Sequence, residues 1–172
     1  MKYCFVLLFS LFSFVLFSQN DSRGYVVKVG EMAPDFDIRY QDGTTKKLSD
    51  LKGKVVMLQF TASWCSVCIK EMPHIEADIW QKYKNRKDFA LLGIGYKEPL
   101  EKLKVLEEKT KITYPLVYDE TGENFHKYAE KGAGVTRNVI IDRNGKIIFL
   151  TRLFNQDEFN AMKKVIAKEL EK

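Results

Sequence analysis

The sequence predicts an α/β fold in which a mixed central sheet is flanked by helices and preceded by an added β-hairpin. Three observations carry this. Residues 55–60 and 89–95 are short, nearly unbroken apolar runs of the kind that form strands buried on both faces. A long stretch between them repeats apolar residues at helical spacing. Two turn signals, Asp42-Gly43 and Asn144-Gly145, separate short strand-like runs, which is the mark of hairpins.

Taken in order, residues 25–29 read as a short strand, and residues 36–40 and 44–48 as the arms of the leading hairpin. Gly53-Lys54 opens the first buried strand. A helix is expected over residues 65–85, with Ile69, Met72, Ile75, Ile79 and Tyr83 on one face and a kink at Pro73, whose ring and missing N–H disturb a helix. After the second buried strand, Leu100, Leu103 and Leu106 mark another helix, introduced by Pro99. Gly132-Ala133-Gly134 is a loop. Residues 139–141 and 147–150 form the second hairpin. The last helix carries Phe159, Met162, Ile166 and Leu170, with Asn155 as its cap and Glu158 three residues on. Behind the leading hairpin the predicted order is β-α-β-α-β-β-α. Trp80, Phe125 and Tyr128 are assigned to packing.

The 172 residues suit one domain, over residues 25–172, and 45% hydrophobic with 30% charged residues excludes a disordered chain. Residues 1–19 stand apart from it. Lys2 supplies one positive charge, residues 4–17 are apolar or serine, and polarity returns abruptly at Ser18. That apolar run is short for a membrane span and normal for a signal peptide, although an uncleaved anchor is the alternative. The domain is therefore expected in an extracytoplasmic or periplasmic space, with no stable membrane insertion once the leader is cleaved. The net charge of +5 falls to +4 without Lys2. Its densest basic run, residues 82–87, lies where the long helix ends and complements the helix dipole, so no nucleic-acid partner is expected.

Of three cysteines, Cys4 lies in the leader, which leaves Cys65 and Cys68. Two cysteines separated by two residues, directly after a buried strand and opening a helix, have a specific chemistry. The unpaired N–H groups at the helix N-terminus favour a thiolate on Cys65. Cys68, one turn on, is placed to resolve the mixed disulfide that Cys65 forms. Other uses fit less well. A staple across so short a loop removes little unfolded-chain entropy. Zinc needs two further ligands, and His74 and His126, the only histidines, lack that spacing. Haem attachment needs a histidine at position 69, where Ile69 stands.

Ala33-Pro34-Asp35-Phe36, Leu48-Ser49-Asp50-Leu51-Lys52-Gly53-Lys54, Ser63-Trp64-Cys65 through Cys68, and Glu71-Met72-Pro73 resemble the TlpA/ResA-like branch of the thioredoxin family. Ile140-Ile141-Asp142 and Asn144-Gly145-Lys146 resemble the last hairpin of that branch. The resemblance spans roughly residues 30–170 and implies a thioredoxin fold. It also implies disulfide exchange with protein dithiol or disulfide substrates, often as a reductant fed by a membrane electron donor, with no bound cofactor.

Two positions depart from the pattern. The family cis-proline, counted back six residues from Asp142, falls on Thr136, with Arg137 next. A cis peptide without proline costs about 3–4 kcal/mol, so a trans loop is expected. The buried aspartate that many thioredoxins carry six residues before the first cysteine is Gln59 here, which cannot ionise. Glu71, three residues after Cys68 and so on the same helix face, is the expected substitute proton acceptor, against the reading of an exposed helix charge. Trp64 resembles the family tryptophan that covers the disulfide. Trp64, Thr136 and Arg137 are the candidate substrate-binding residues, and Arg137 has two readings, thiolate stabiliser or solvated strand start. The alternatives to exchange are a peroxiredoxin-type thiol peroxidase and a copper-carrying module of the same fold. The first rests on Thr136-Arg137 but lacks the expected proline and threonine at Leu58 and Ala62. Copper carriers space their cysteines one residue wider.

Overall fold

The computed structural model describes residues 23–172, so the leader expected over residues 1–19 lies outside the described residues. The leading hairpin pairs β1 (Asp37–Arg39) with β2 (Thr45–Lys47) as a separate two-stranded sheet. Its turn is built by Asp42, whose carboxylate accepts from the Thr44 N–H at 2.9 Å and the Thr44 hydroxyl at 2.7 Å, while Gly43 takes the positive φ the turn requires.

The central sheet is assembled around β3 (Val55–Thr61), all seven residues of which are buried. Burying each of its large apolar side chains contributes about 1.5–3 kcal/mol. β4 (Phe89–Tyr96) pairs parallel to β3, and β5 (Leu116–Asp119) parallel to β4. On the other side β6 (Arg137–Ile141) runs antiparallel to β3, and β7 (Ile147–Arg152) antiparallel to β6. The strand order is β5-β4-β3-β6-β7. Alternation along β3 sends Val55 and Met57 to one core and Val56, Leu58 and Phe60 to the other.

The first core is covered by α1 (Ser66–Ile75), α3 (Leu100–Thr110) and α5 (Gln156–Leu170) through Met72, Ile75, Leu103, Leu106, Phe159, Met162 and Ile166. The second lies under the short α4 (Glu123–His126) and the N-terminal segment, through Phe125, Tyr128, Tyr25 and Phe36. The expected break at Pro73 takes the form of a π-helical stretch, Glu76–Trp80, one turn later, before α2 (Gln81–Tyr83) ends the helix.

Three expectations need correction. Residues 25–29 make no strand: Gly24 and Gly30 both take positive φ and turn the chain at each end, leaving a single bridge between Tyr25 and Ala129. β5 and α4 were not anticipated, so the order behind the hairpin is β-α-β-α-β-α-β-β-α, with the third strand and third helix short. Asn155 caps α5 as expected, accepting from the Asp157 and Glu158 N–H groups at 3.0 Å each, but Glu158 does not close a capping box. Its carboxylate instead receives Arg23 at 2.9 Å.

Candidate active site

β3 ends at Thr61 and delivers the chain to a tight turn in which the Cys65 N–H donates to the Ala62 carbonyl at 3.1 Å. Cys65 is then the N-cap of α1, in extended conformation, and its Sγ accepts from the Cys68 N–H at 3.1 Å. A sulfur thus takes the place of the oxygen that ordinarily satisfies an unpaired N–H at a helix start. Cys65 and Cys68 are joined as a disulfide, with Cα atoms 5.3 Å apart. Cys65 retains 8% of its surface exposed and Cys68 none. Trp64, the next residue back, is 64% exposed at the rim.

Thr136 comes to the same spot from the loop before β6. Its Oγ1 lies 3.2 Å from both sulfurs, the Val135–Thr136 peptide is trans, and its carbonyl accepts from the Leu153 N–H at 3.1 Å. Arg137 goes elsewhere. Its guanidinium is buried over the Tyr25 ring, 4.5 Å from the centroid, and donates to the Arg23 carbonyl at 2.8 Å, while Nε has no partner. It is therefore neither solvated nor in contact with a sulfur. Burial lowers its pKa from the ordinary arginine value.

Glu71 is 2% exposed, which overturns the reading of an exposed helix charge. Register explains its surroundings, because Gln59 on β3 lies opposite Asn138 on β6. Gln59 Nε2 donates to Glu71 Oε2 at 3.3 Å and Asn138 Nδ2 to Oε1 at 2.8 Å. The Tyr114 hydroxyl donates to Gln59 Oε1 at 2.6 Å, and Asn138 Nδ2 also reaches Thr151 Oγ1 at 2.9 Å. Burial pushes the Glu71 carboxyl up to about 7, against the two amide donors that pull it down, with a small further push from the Glu158 charge. Asn138 Oδ1 is left without a partner.

Two residues of this site escaped the sequence reading. Asn138 is one; only the strand pairing brings it to Glu71. Glu98 is the other, buried after β4, where its carboxylate accepts from the Ser63 N–H at 2.6 Å and from the Ser63 hydroxyl, fixing the turn that leads into Trp64-Cys65. The acidic residue before Pro99 was its only signal.

A disulfide at a helix start after a central strand, with a buried carboxyl one turn further along that helix, is the centre of a thioredoxin-fold redox protein. The comparisons agree. Residues 29–150 match the AhpC/TSA family. The thiol-disulfide oxidoreductase ResA of Geobacillus thermodenitrificans is 28% identical over 143 residues, spanning 83% of this chain and 79% of that protein. ResA of Bacillus cereus is 29% identical over 135 residues, spanning 78% and 76%. Among solved structures, a Bacteroides thetaiotaomicron protein provisionally assigned as a protein disulfide isomerase superposes with a TM-score of 0.84 at 56% identity, over 87% of this chain and 94% of that one. A Chlorobium tepidum protein provisionally assigned as the thiol:disulfide interchange protein DsbE gives 0.71 at 26%, over 84% and 99%. This chain belongs to the AhpC/TSA family and stands among its ResA-like thiol–disulfide oxidoreductases.

Proposed function

We propose that the protein is an exported reductant of protein disulfides, working through Cys65 and Cys68 and recharged by a membrane electron donor. The observation that carries the roles is the asymmetry of the pair, since Cys65 alone keeps exposed surface. In the reduced enzyme the Cys65 thiolate attacks a sulfur of the substrate disulfide. The substrate S–S bond breaks, a mixed disulfide forms, and one substrate thiolate leaves and takes up a proton. Cys68 then gives its proton to the Glu71 carboxylate, one helical turn away, and attacks Cys65 Sγ. The second substrate thiolate departs and the Cys65–Cys68 disulfide remains. Two electrons have passed from enzyme to substrate, and the disulfide form is the one the donor must reduce. The Thr136 hydroxyl, 3.2 Å from either sulfur, donates to the Cys65 thiolate in the reduced state.

Export is supported by the apolar leader and by a mature chain whose only cysteines form one redox pair. Among the described residues no helix is long and apolar enough to cross a membrane. The test is trapping. Cys68→Ser should accumulate mixed disulfides with client proteins, and Cys65→Ser should trap none. Trapping by Cys65→Ser reverses the roles. Peroxide consumption as fast as insulin-disulfide reduction would favour the peroxidase reading, and copper retained after anaerobic purification the carrier reading.

A further inference from the structure

Residues 23–27 precede the first strand and add no strand to the central sheet, yet they are laced to the loop that presents Thr136. The Val26 N–H donates to the Tyr128 carbonyl at 2.9 Å, Tyr25 bridges to Ala129, and the Glu130 N–H donates to the Gly24 carbonyl at 3.0 Å. Arg137, immediately after Thr136, donates to the Arg23 carbonyl and lies on the Tyr25 ring. The Tyr25 hydroxyl reaches past it to the Thr151 carbonyl at 2.6 Å and the Asn138 carbonyl at 3.1 Å. Gly24 makes this approach feasible. A Cβ there would stand 2.7 Å from Arg137 Nη2 and 3.2 Å from the Ala133 side chain, on a backbone with φ +75°.

The loop itself has little stiffness of its own. Between Glu130 and Thr136 it reads Lys-Gly-Ala-Gly-Val, with two glycines and no proline. The Thr136 hydroxyl must nevertheless be held between two sulfurs. Nor is a buried guanidinium with an unpartnered Nε a device for stability, because an apolar side chain of similar volume avoids the desolvation cost.

We infer that residues 23–27 form a strap that positions Thr136 over the cysteine pair, with Gly24, Tyr25 and Arg137 as its positioning residues, in place of the rigidity a proline would supply. This rests on the reading that Cys65 is the attacking thiolate and Thr136 its donor. The ionisable groups on the elements packed around Cys65 are Cys68, Lys70, Glu71 and His74 on its own helix, Glu98 after β4, Tyr25 of the strap and Arg137 at the start of β6. A strap variant that acts through Thr136 must therefore be separated from one that merely moves the Arg137 charge.

The experiment measures alkylation of the reduced full chain by iodoacetamide against pH, with the modified cysteine identified by mass spectrometry and the denaturant unfolding midpoint recorded in parallel. The variants are Gly24→Ala, Tyr25→Phe, Thr136→Val and the two doubles with Thr136→Val. Tyr25→Phe keeps the ring over Arg137 and guards against a Gly24→Ala chain that fails to fold. Thr136→Val should raise the pH midpoint of Cys65 alkylation by about 0.5–1 unit, the worth of one lost hydrogen bond to the thiolate. Each strap variant should raise it by part of that shift and add nothing further in the Thr136→Val background. Strap variants that lower the unfolding midpoint while their alkylation curves overlay the parent's would overturn the strap and leave the Thr136 reading intact. A strap shift that persists undiminished in the doubles would also overturn it, by assigning the effect to the Arg137 charge. A Thr136→Val curve that overlays the parent's would overturn both.

Discussion

Glu71 owes its raised pKa to burial between β3 and β6, against the two amide donors that hold it down. Burial raises its carboxyl to about 7, which places its titration near neutral pH, where the proposed proton transfer from Cys68 would need it. Glu71→Gln preserves shape and hydrogen bonding but removes this ionisation. Resolution of the mixed disulfide should slow across pH 6–8, and a pH–rate profile that overlays the parent's would remove Glu71 from the mechanism. Asn138→Ala should instead shift the midpoint of the same profile upward, because it deletes the closer of two donors to the carboxylate. Stability carries a second signature. The folded carboxyl binds its proton more tightly than the unfolded one, with about 7 against 4.5, so the parent should lose stability as pH rises from 4.5 through 7. The full loss is about 3 kcal/mol, and denaturation of Glu71→Gln should show it absent.

At the level of elements, β4 shows how neighbours leave their mark. Gly93 and Gly95 face the helical side, where an added Cβ would lie 2.2 Å from Leu116 Cδ2 and 2.3 Å from Leu103 Cδ2 respectively. Gly93→Ala should therefore overpack the β4–β5 seam and cost about 1–3 kcal/mol in denaturant unfolding, with no change in the alkylation behaviour of the cysteines. Asn155→Ala should cost about 1 kcal/mol, since two N–H groups of α5 lose their acceptor. The sequence carries no pattern that marks β5. The strand is only four residues, too short for a period to register, and α4 is equally brief. The long helices, the two turn-marked hairpins and the buried strands were legible because their patterns repeat. The site divides in the same way. Cys65, at the cap of α1, and Cys68 and Glu71 within it were reached from their spacing together with the family resemblance. Asn138 and Glu98 meet them only through strand register and a loop contact, and the burial of Arg137 depends on a segment more than a hundred residues away.

For the molecule as a whole, the direction of exchange is a statement about stability. Folding and disulfide formation form a closed cycle, in which about 1.4 kcal/mol corresponds to 30 mV for the two-electron couple. A reductant must have an oxidised form that is more stable than its reduced form, so the disulfide state should unfold at the higher denaturant concentration. Titration against glutathione should place the couple toward the thioredoxin end of the scale, and the reverse order of stabilities would mark an oxidant. The N-terminal region has a further consequence on this scale. Tyr40 bridges to Val117 on edge strand β5, while on the opposite edge Gly30 and Glu31 exchange backbone bonds with Ile147, and Arg23 and Tyr25 bond the carbonyls of Arg152 and Thr151. Open sheet edges recruit extended chains and seed aggregates. With the start and end of β7 and the middle of β5 already occupied, an extended chain from outside finds little of either edge free to pair with.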